Sequence, residues 1–373
     1  MYIKSLELKD FRNYESLNLN LKKGVNIFYG NNAQGKTNIL EAAYMCLTSK
    51  SNRTAFDKEI IRKGAEDAHV KLILMKDEVP VRIDLHLKNS KKKGMAINTV
   101  PIKKIAELLG VGNVVFFTPN DLDIIKNGPI ERRKFIDNEL SQLDKIYLYN
   151  LVSYQKVLSE RNKLLKDPRI EHDKSLVDTL DIWDEQLVKY GTEVIKIRES
   201  FVNELNDIVY NIHKNLTSGK ENISISYEKN VTEEAFKNKL SYDRRKDLYV
   251  KSTSCGPHKD DLCIKEGDMD LRKFGSRGQM RTAALSLKFA EIEFIKRKIN
   301  DTPILMLDDV LSELDSERQK KLLENISNLQ TIITCTGLDE FIENRINIEN
   351  IFKVENGNVT EIGNGGQNGQ QSE

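Results

Sequence analysis

The sequence predicts an α/β protein: a mixed β-sheet domain interrupted in sequence by a mainly helical lobe. Three observations carry this. An apolar run, Val25-Asn26-Ile27-Phe28-Tyr29, passes through a glycine-bounded loop into a helix with Ile39, Leu40, Ala43, Tyr44 and Leu47 on its apolar face. Strand-like alternation dominates before residue 120, and a strand-and-loop pattern resumes near 249. Between them, from about 121 to 217, apolar residues recur at helical spacings of three and four.

In chain order, Ile3, Leu6 and Leu8, then Leu17, Leu19 and Leu21, form two short antiparallel strands around the polar turn Lys9–Tyr14. Residues 69–75 and 80–87 alternate again, with Lys76-Asp77-Glu78 as one hairpin tip and the basic run 88–94 as a second. Residues 102–110 read as a short amphipathic helix ended by Gly110, and Val114–Phe117 as a strand. The helical stretch breaks at Asp167-Pro168. Ile223, Ile225 and Tyr227 suggest a strand and 232–247 a helix. Further helices are expected over 279–298 and 314–328, buried strands at Ile304–Leu307 and Thr331–Thr334, and a hairpin of Ile351–Val354 with Val359–Ile362. The Gly, Asn, Gln and Ser tail from 363 reads as disordered. The expected boundaries are 1–120 and 245–373 for the two parts of the sheet domain and 121–244 for the lobe.

The loop Gly30-Asn31-Asn32-Ala33-Gln34-Gly35-Lys36-Thr37 fits the phosphate-loop pattern G-x-x-x-x-G-K-[ST]. Glycines at its ends permit close backbone approach, so loop N–H groups can converge on phosphate oxygens in front of a helix N-terminus. Lys36 suits the β- and γ-phosphates, and the Thr37 hydroxyl suits Mg²⁺. A glycine turn capping an ordinary helix would not need the apolar strand before it and the apolar helix after it.

Pro303–Leu307 is an apolar strand ending in Asp308 and Asp309. Beside the phosphate-loop strand, Asp308 would be the Walker B acid near Mg²⁺, and Asp309 could polarise the attacking water. Ser276 and Gly278 open the 279–298 helix and offer an anion site, although an ordinary serine N-cap has the same composition.

Bulk properties narrow little else. Lys+Arg 58 against Asp+Glu 57 gives +1 over 373 residues, so only local clusters could mark a nucleic-acid surface. Four scattered cysteines and the lack of an 18-residue apolar run or a leader-like start point to a cytoplasmic protein without a membrane span. Lys91, Lys92, Lys93, Arg132 and Arg133 could meet DNA phosphates; a solvated surface explains such charge runs equally well. Cys255, His258 and Cys263 match no common zinc spacing, and Trp183 reads as core.

The order phosphate loop, Ser-x-Gly-Gln helix start, Walker B strand and Leu311-Ser312-Glu313-Leu314-Asp315 resembles the ABC-type ATPase heads of the SMC group. More closely, LELKDFRNY (6–14), GNNAQGKTNILEA (30–42), FFTPNDLDIIKNGP (116–129), ERRKFID (131–137), GPHKDDL (256–262), FGSRGQMRTAALSLKFAEIEF (274–294) and LMLDDVLSELD (305–315) resemble the RecF family of bacterial DNA replication and repair ATPases. The lobe is too short for the long coiled coil of SMC proteins. The resemblance implies an ABC-type P-loop head using ATP and Mg²⁺. It also implies ATP-dependent homodimerisation, with Ser276, Gly278 and Gln279 of one protomer covering the nucleotide of the other and Ser312 and Asp315 in the D-loop. It further implies binding to single-stranded, gapped or junction DNA in SOS-related recombinational repair, a RecR-type mediator, and a nucleoid-associated location. Arg53 would approach the γ-phosphate. Asp309 stands where general ABC ATPases carry Glu, which implies slow turnover. Thr334-Cys335-Thr336 replaces their switch His, Ala33 stands where many relatives have Gly, and Lys259 where Arg is frequent.

Overall fold

The computed structural model describes residues 1–89, 91–314, 316–326, 328–338 and 348–363. The chain forms two compact units, Met1–Asp121 with Ile292–Glu373, and Leu122–Glu291. Residues 245–291, assigned from sequence to the second part of the sheet domain, therefore fall in the helical unit.

The first unit begins with β1 (Tyr2–Phe11), β2 (Tyr14–Asn20), β3 (Val25–Tyr29), α1 (Lys36–Thr48), β4 (Asp67–Lys76), β5 (Val79–Lys88), β6 (Lys91–Ile97), β7 (Val100–Pro101) and β8 (Val114–Phe117). The second unit comprises α2 (Leu122–Lys126), α3 (Pro129–Leu143), α4 (Lys145–Leu165), α5 (Lys174–Leu216), β9 (Ile223–Glu228), α6 (Phe236–Val250), β10 (Asp261–Glu266), β11 (Met269–Asp270), α7 (Leu271–Phe274) and most of α8 (Arg277–Ile299). The chain then returns to the first unit with β12 (Ile304–Asp308), α9 (Ser316–Asn325), β13 (Thr331–Cys335), β14 (Ile348–Glu355) and β15 (Asn358–Gly363).

One sheet of the first unit is antiparallel, in the order β2-β1-β4-β5-β6-β7. The three-residue step from Ile3 to Leu6 keeps both side chains buried because a bulge falls between Ile3 and Ser5 against β4. The other sheet runs β15-β14-β3-β13-β12-β8, and every pair in it except β14 with β15 is parallel. β12 and β13 are buried along their whole length and β3 along all but its last residue, which accounts for their unbroken apolar runs. Helix α1 joins residues of both sheets in one buried cluster through Ile39, Leu40, Met45 and Leu47.

In the second unit α4 starts at Asp144, whose carboxylate accepts from the Ile146 and Tyr147 N–H groups. The expected break at Asp167-Pro168 is a 3₁₀ turn over Pro168–Glu171, after which α5 runs 43 residues. Tyr154, Val157, Leu187, Ile195, Phe236 and Leu240 form a core, with Trp183 packed against it. Sheet β11-β10-β9 completes the unit.

Some local expectations change. Residues 102–110 contain only a 3₁₀ turn, Ile105–Glu107, and Gly110 turns left-handed at φ 86°. Lys91–Gly94 pair with β5 as part of β6 instead of forming a tip. The tail from 364 lies outside the described residues.

Candidate functional site

Parallel pairing assembles the site. β3, β13 and β12 lie side by side with their carboxyl ends on one edge of the sheet, where open α/β sheets present their binding crevices. Thr334 of β13 pairs with Phe28 of β3 on one side and with Asp308 of β12 on the other. The loop leaving β3 thus sits next to the acid ending β12.

The loop has the shape that phosphate binding needs. Gly30 and Gly35 have φ of 153° and 112°. A Cβ on Gly30 would collide with the Val354 carbonyl oxygen, and one on Gly35 would lie 2.5 Å from Asn13 Nδ2 and 2.8 Å from the Tyr14 hydroxyl. Ala33 adopts φ 66°, so it accepts the left-handed turn that glycine would take more easily. Lys36 is buried, and its ammonium donates to the carbonyls of Gly30 (2.7 Å) and Asn31 (2.9 Å). Burial lowers its pKa, opposed by Asp309, Cys335 and Asp308.

The Thr37 hydroxyl donates to Asp308 Oδ1 at 2.7 Å, and the Thr334 hydroxyl donates to the same oxygen at 2.8 Å. Burial raises the Asp308 pKa; the two hydroxyl bonds oppose this and the charge of Asp309 reinforces it. A hydroxyl and a carboxylate held together behind a phosphate loop are hard oxygen donors of the kind Mg²⁺ takes. Asp309 has φ 53°, and its N–H donates to both the carbonyl and the hydroxyl oxygen of Thr334. Thr334 therefore stands between the two acids.

Several contributors were not singled out from sequence. The turn between β1 and β2 lies against the loop: Asn13 Nδ2 donates to the Gln34 carbonyl (3.1 Å), Asn38 Nδ2 to Asn13 Oδ1 (2.7 Å), and the Tyr14 hydroxyl to the Gly35 carbonyl (3.1 Å). Arg12 forms a two-pronged pair with the fully buried Glu41 of α1, at 2.8 and 2.7 Å. The polar character of 9–14 was visible, but its docking was not, because nothing local encodes a partner twenty residues away. Arg53 donates to Asn38 Oδ1 at 2.8 Å and lies 3.6 Å from Glu41, beside the first turns of α1.

Ser276 caps α8. Its hydroxyl accepts from the Gln279 N–H (3.2 Å), and Gln279 Oε1 accepts from the Ser276 N–H (2.8 Å), a reciprocal capping box. Ser276 and Gly278 are exposed. The Ser312 hydroxyl donates to the Asp309 carbonyl at 2.9 Å, and Asp315 lies outside the described residues.

Among the DNA-contact candidates, Arg132 is corrected. It is 2% exposed, holds Asp261 by two bonds of 2.6 and 3.0 Å, and donates to the Asn127 carbonyl. Its charge is consumed inside the fold. Arg133 donates to the Asp260 carbonyl at 2.6 Å and is half-buried. Lys93 is tied to the Ser49 carbonyl and Asp57, whereas Lys92 is exposed; for Lys91 only the backbone is described. His258 accepts from the Tyr154 hydroxyl at Nδ1 (2.6 Å) and donates from Nε2 to the Thr253 carbonyl (3.0 Å), a structural role. Among the described residues no helix is long and apolar enough to cross a membrane.

Known proteins match this architecture along nearly its whole length. Residues 2–360 match the family described as RecF/RecN/SMC N terminal domain. The DNA replication and repair protein RecF of Lachnospira eligens is 58% identical over 96% of this chain and 99% of its own, and that of Clostridium tetani 45% identical over 97% and 100%. A solved structure of the recombination mediator protein RecF with ATP, in the RecFOR pathway, is 34% identical, with TM-score 0.90 over 97% of each chain. The Smc head domain of Pyrococcus furiosus shares the fold at TM-score 0.57 and 19% identity. The chain belongs to the RecF family of DNA replication and repair proteins, within the SMC-type ABC ATPase heads.

Proposed function

We propose that this protein is an ATP-switched DNA clamp: two protomers join when ATP binds, hold DNA, and part on slow hydrolysis. The observation that carries the reading is the cluster of Lys36, Thr37, Asp308 and Thr334 at the carboxyl edge of one parallel sheet. ATP is the substrate, and the ATP-bound RecF structure supports that choice. Residues 30–37 would hold its phosphates, with Lys36 exchanging the Gly30 and Asn31 carbonyls for phosphate oxygens. Thr37 and Asp308 would hold Mg²⁺, which neutralises charge on the transferred phosphoryl group. Asp309 would orient the attacking water; its carboxylate is one methylene shorter than glutamate, and slow turnover follows. Ser276, Gly278 and Gln279 would face a partner protomer's nucleotide, with Ser312 and Asp315 at the same interface. Ser276 and Gly278 are exposed at a helix N-terminus, where an anion is favoured.

DNA contacts, on this reading, are to the backbone and salt-sensitive, with Lys92 the best placed of the original candidates. Single-stranded, gapped or junction DNA, and a RecR-type mediator, fit the RecFOR pathway named for the structural relative. The head and lobe divisions of 1–120, 121–244 and 245–373 are proposed as functional segments, and a cytoplasmic, nucleoid-associated location accompanies them.

Mass measured against ATP and DNA tests the clamp. Asp309→Asn should bind ATP and accumulate as a dimer on DNA, while Lys36→Ala should lose both ATP binding and dimer formation. An Asp309→Asn protein that binds ATP yet stays monomeric overturns the mechanism.

A further inference from the structure

We infer that the second unit contains a site for a divalent transition-metal ion, zinc being the best fit, built from His213, Glu221 and Glu266. It uses none of the phosphate-loop residues. A ring nitrogen of His213 and a carboxylate oxygen from each glutamate lie within 4.8 Å of one another. Three separate segments converge here. His213 is on the last turn of α5, Glu221 follows that helix, and Glu266 ends β10. The pairing of Glu266 with Ile223, and the bond from the Gly267 N–H to the Asn222 carbonyl (2.9 Å), hold the two glutamates at one end of the β9-β10 ladder.

The protonation pattern favours a ligand. The Ser286 hydroxyl donates to the Thr282 carbonyl at 2.7 Å, so it accepts from His213 Nδ1–H at 2.9 Å. With Nδ1–H donated to Ser286, loss of the Nε2 proton to solvent leaves Nε2 as the ligand nitrogen, the arrangement of a metal-binding histidine held by an outer partner. Nε2 lies 3.4 Å from Glu221 Oε2. Ligands about 2.05 Å from zinc at tetrahedral angles are separated by about 3.3 Å, so this edge already matches. Oε2 of Glu221 and Oε2 of Glu266 are both shielded from solvent without a hydrogen-bond partner. Two such carboxylates beside each other are costly unless a cation joins them. One imidazole nitrogen and two carboxylate oxygens form a donor set that zinc accepts, with a fourth position left for water.

The site also bears on α8. Glu266 Oε1 accepts from Gln279 Nε2 at 3.2 Å, and Gln279 completes the capping box with Ser276. A metal fixing Glu266 would fix the Gln279 side chain through that bond.

The test uses untagged, chelator-stripped full-length protein titrated with Zn²⁺ by calorimetry, without nucleotide or Mg²⁺, so its failure leaves the ATP reading untouched. One equivalent is expected to bind, and Co²⁺ substitution should give the visible absorption of a tetrahedral site. Glu221→Gln, at a partly exposed position, and His213→Gln should each weaken binding by about 10-fold or more. Gln279→Ala should weaken it by about 10-fold as an outer-shell change. Failure of the stripped protein to bind zinc, or unchanged affinity in Glu221→Gln and His213→Gln, overturns the assignment.

Discussion

Asp308 concentrates the chemistry of the site in one carboxylate oxygen, which accepts from Thr37 on the loop side and from Thr334 on the neighbouring strand. Thr37 and Asp308 could be picked out because each belongs to a short pattern next to an apolar strand. Thr334 is visible in sequence only as one of two threonines in the stretch that replaces the switch His, since its role depends on strand register. His258 shows the same limit. Its sequence context suggested a motif, but its environment decides its charge. Burial is the main cause of a pKa lowered to about 4, with Lys259 and Arg133 adding to it and the Thr253 carbonyl and Asp247 opposing it. The folded state therefore prefers neutral His258. Its contribution is complete above the ordinary value of 6.5 and is lost as pH falls toward about 4. Urea unfolding between pH 7 and 4.5 should show the wild type losing up to about 3 kcal/mol more than His258→Gln. Parallel pH profiles for the two proteins would remove His258 from this account.

Elements explain which residues are available for function. α5 packs against its neighbours at Gly191, where an added Cβ would lie 2.5 Å from Phe236 and 3.0 Å from the Tyr154 ring. Gly191→Ala should cost about 1–3 kcal/mol by chemical denaturation because the rings around it are already packed; an unchanged midpoint would show that the contact relaxes. The basic run 132–134 is a candidate nucleic-acid surface from sequence because charge is legible there and direction is not. On helix α3, Arg132 points into the unit and meets Asp261 of β10. Arg132→Ala should therefore lower stability by about 3 kcal/mol. Lys92→Ala should leave stability unchanged and, on the DNA-binding reading, reduce the slope of log affinity against log salt by about 0.9. A stable Arg132→Ala protein with a reduced salt slope would restore the surface reading. Lys91–Gly94, read from sequence as part of a basic hairpin tip, pair with β5 instead; lysines are poor strand formers, and the pairing overrides that preference.

At the scale of the molecule, the sheet unit is discontinuous in sequence, with Met1–Asp121 and Ile292–Glu373 folding together. β3 and β12, some 280 residues apart in sequence, are joined through β13, and this is what turns two motifs into one site. Half a site in each protomer is the proposal that follows from Ser276. Ser276→Arg should keep ATP affinity, measured with a fluorescent nucleotide, and lose ATP-dependent dimerisation in sedimentation. An equal loss of ATP affinity would place Ser276 in its own protomer's site.

The sequence by itself determined the glycine-bounded loop after β3, the acids at the end of β12, the start of the helical insertion near 121 and the family. Each of these is written in consecutive residues: glycine spacing, apolar runs and helical periodicity are local. The tertiary structure decided that Thr334 links the acids, that Asn13 and Tyr14 brace the loop, that Arg132 is internal, and that His213 meets Glu221 and Glu266. Those facts depend on strand register and on which face of a helix is buried, and both are set by contacts between residues far apart in the chain.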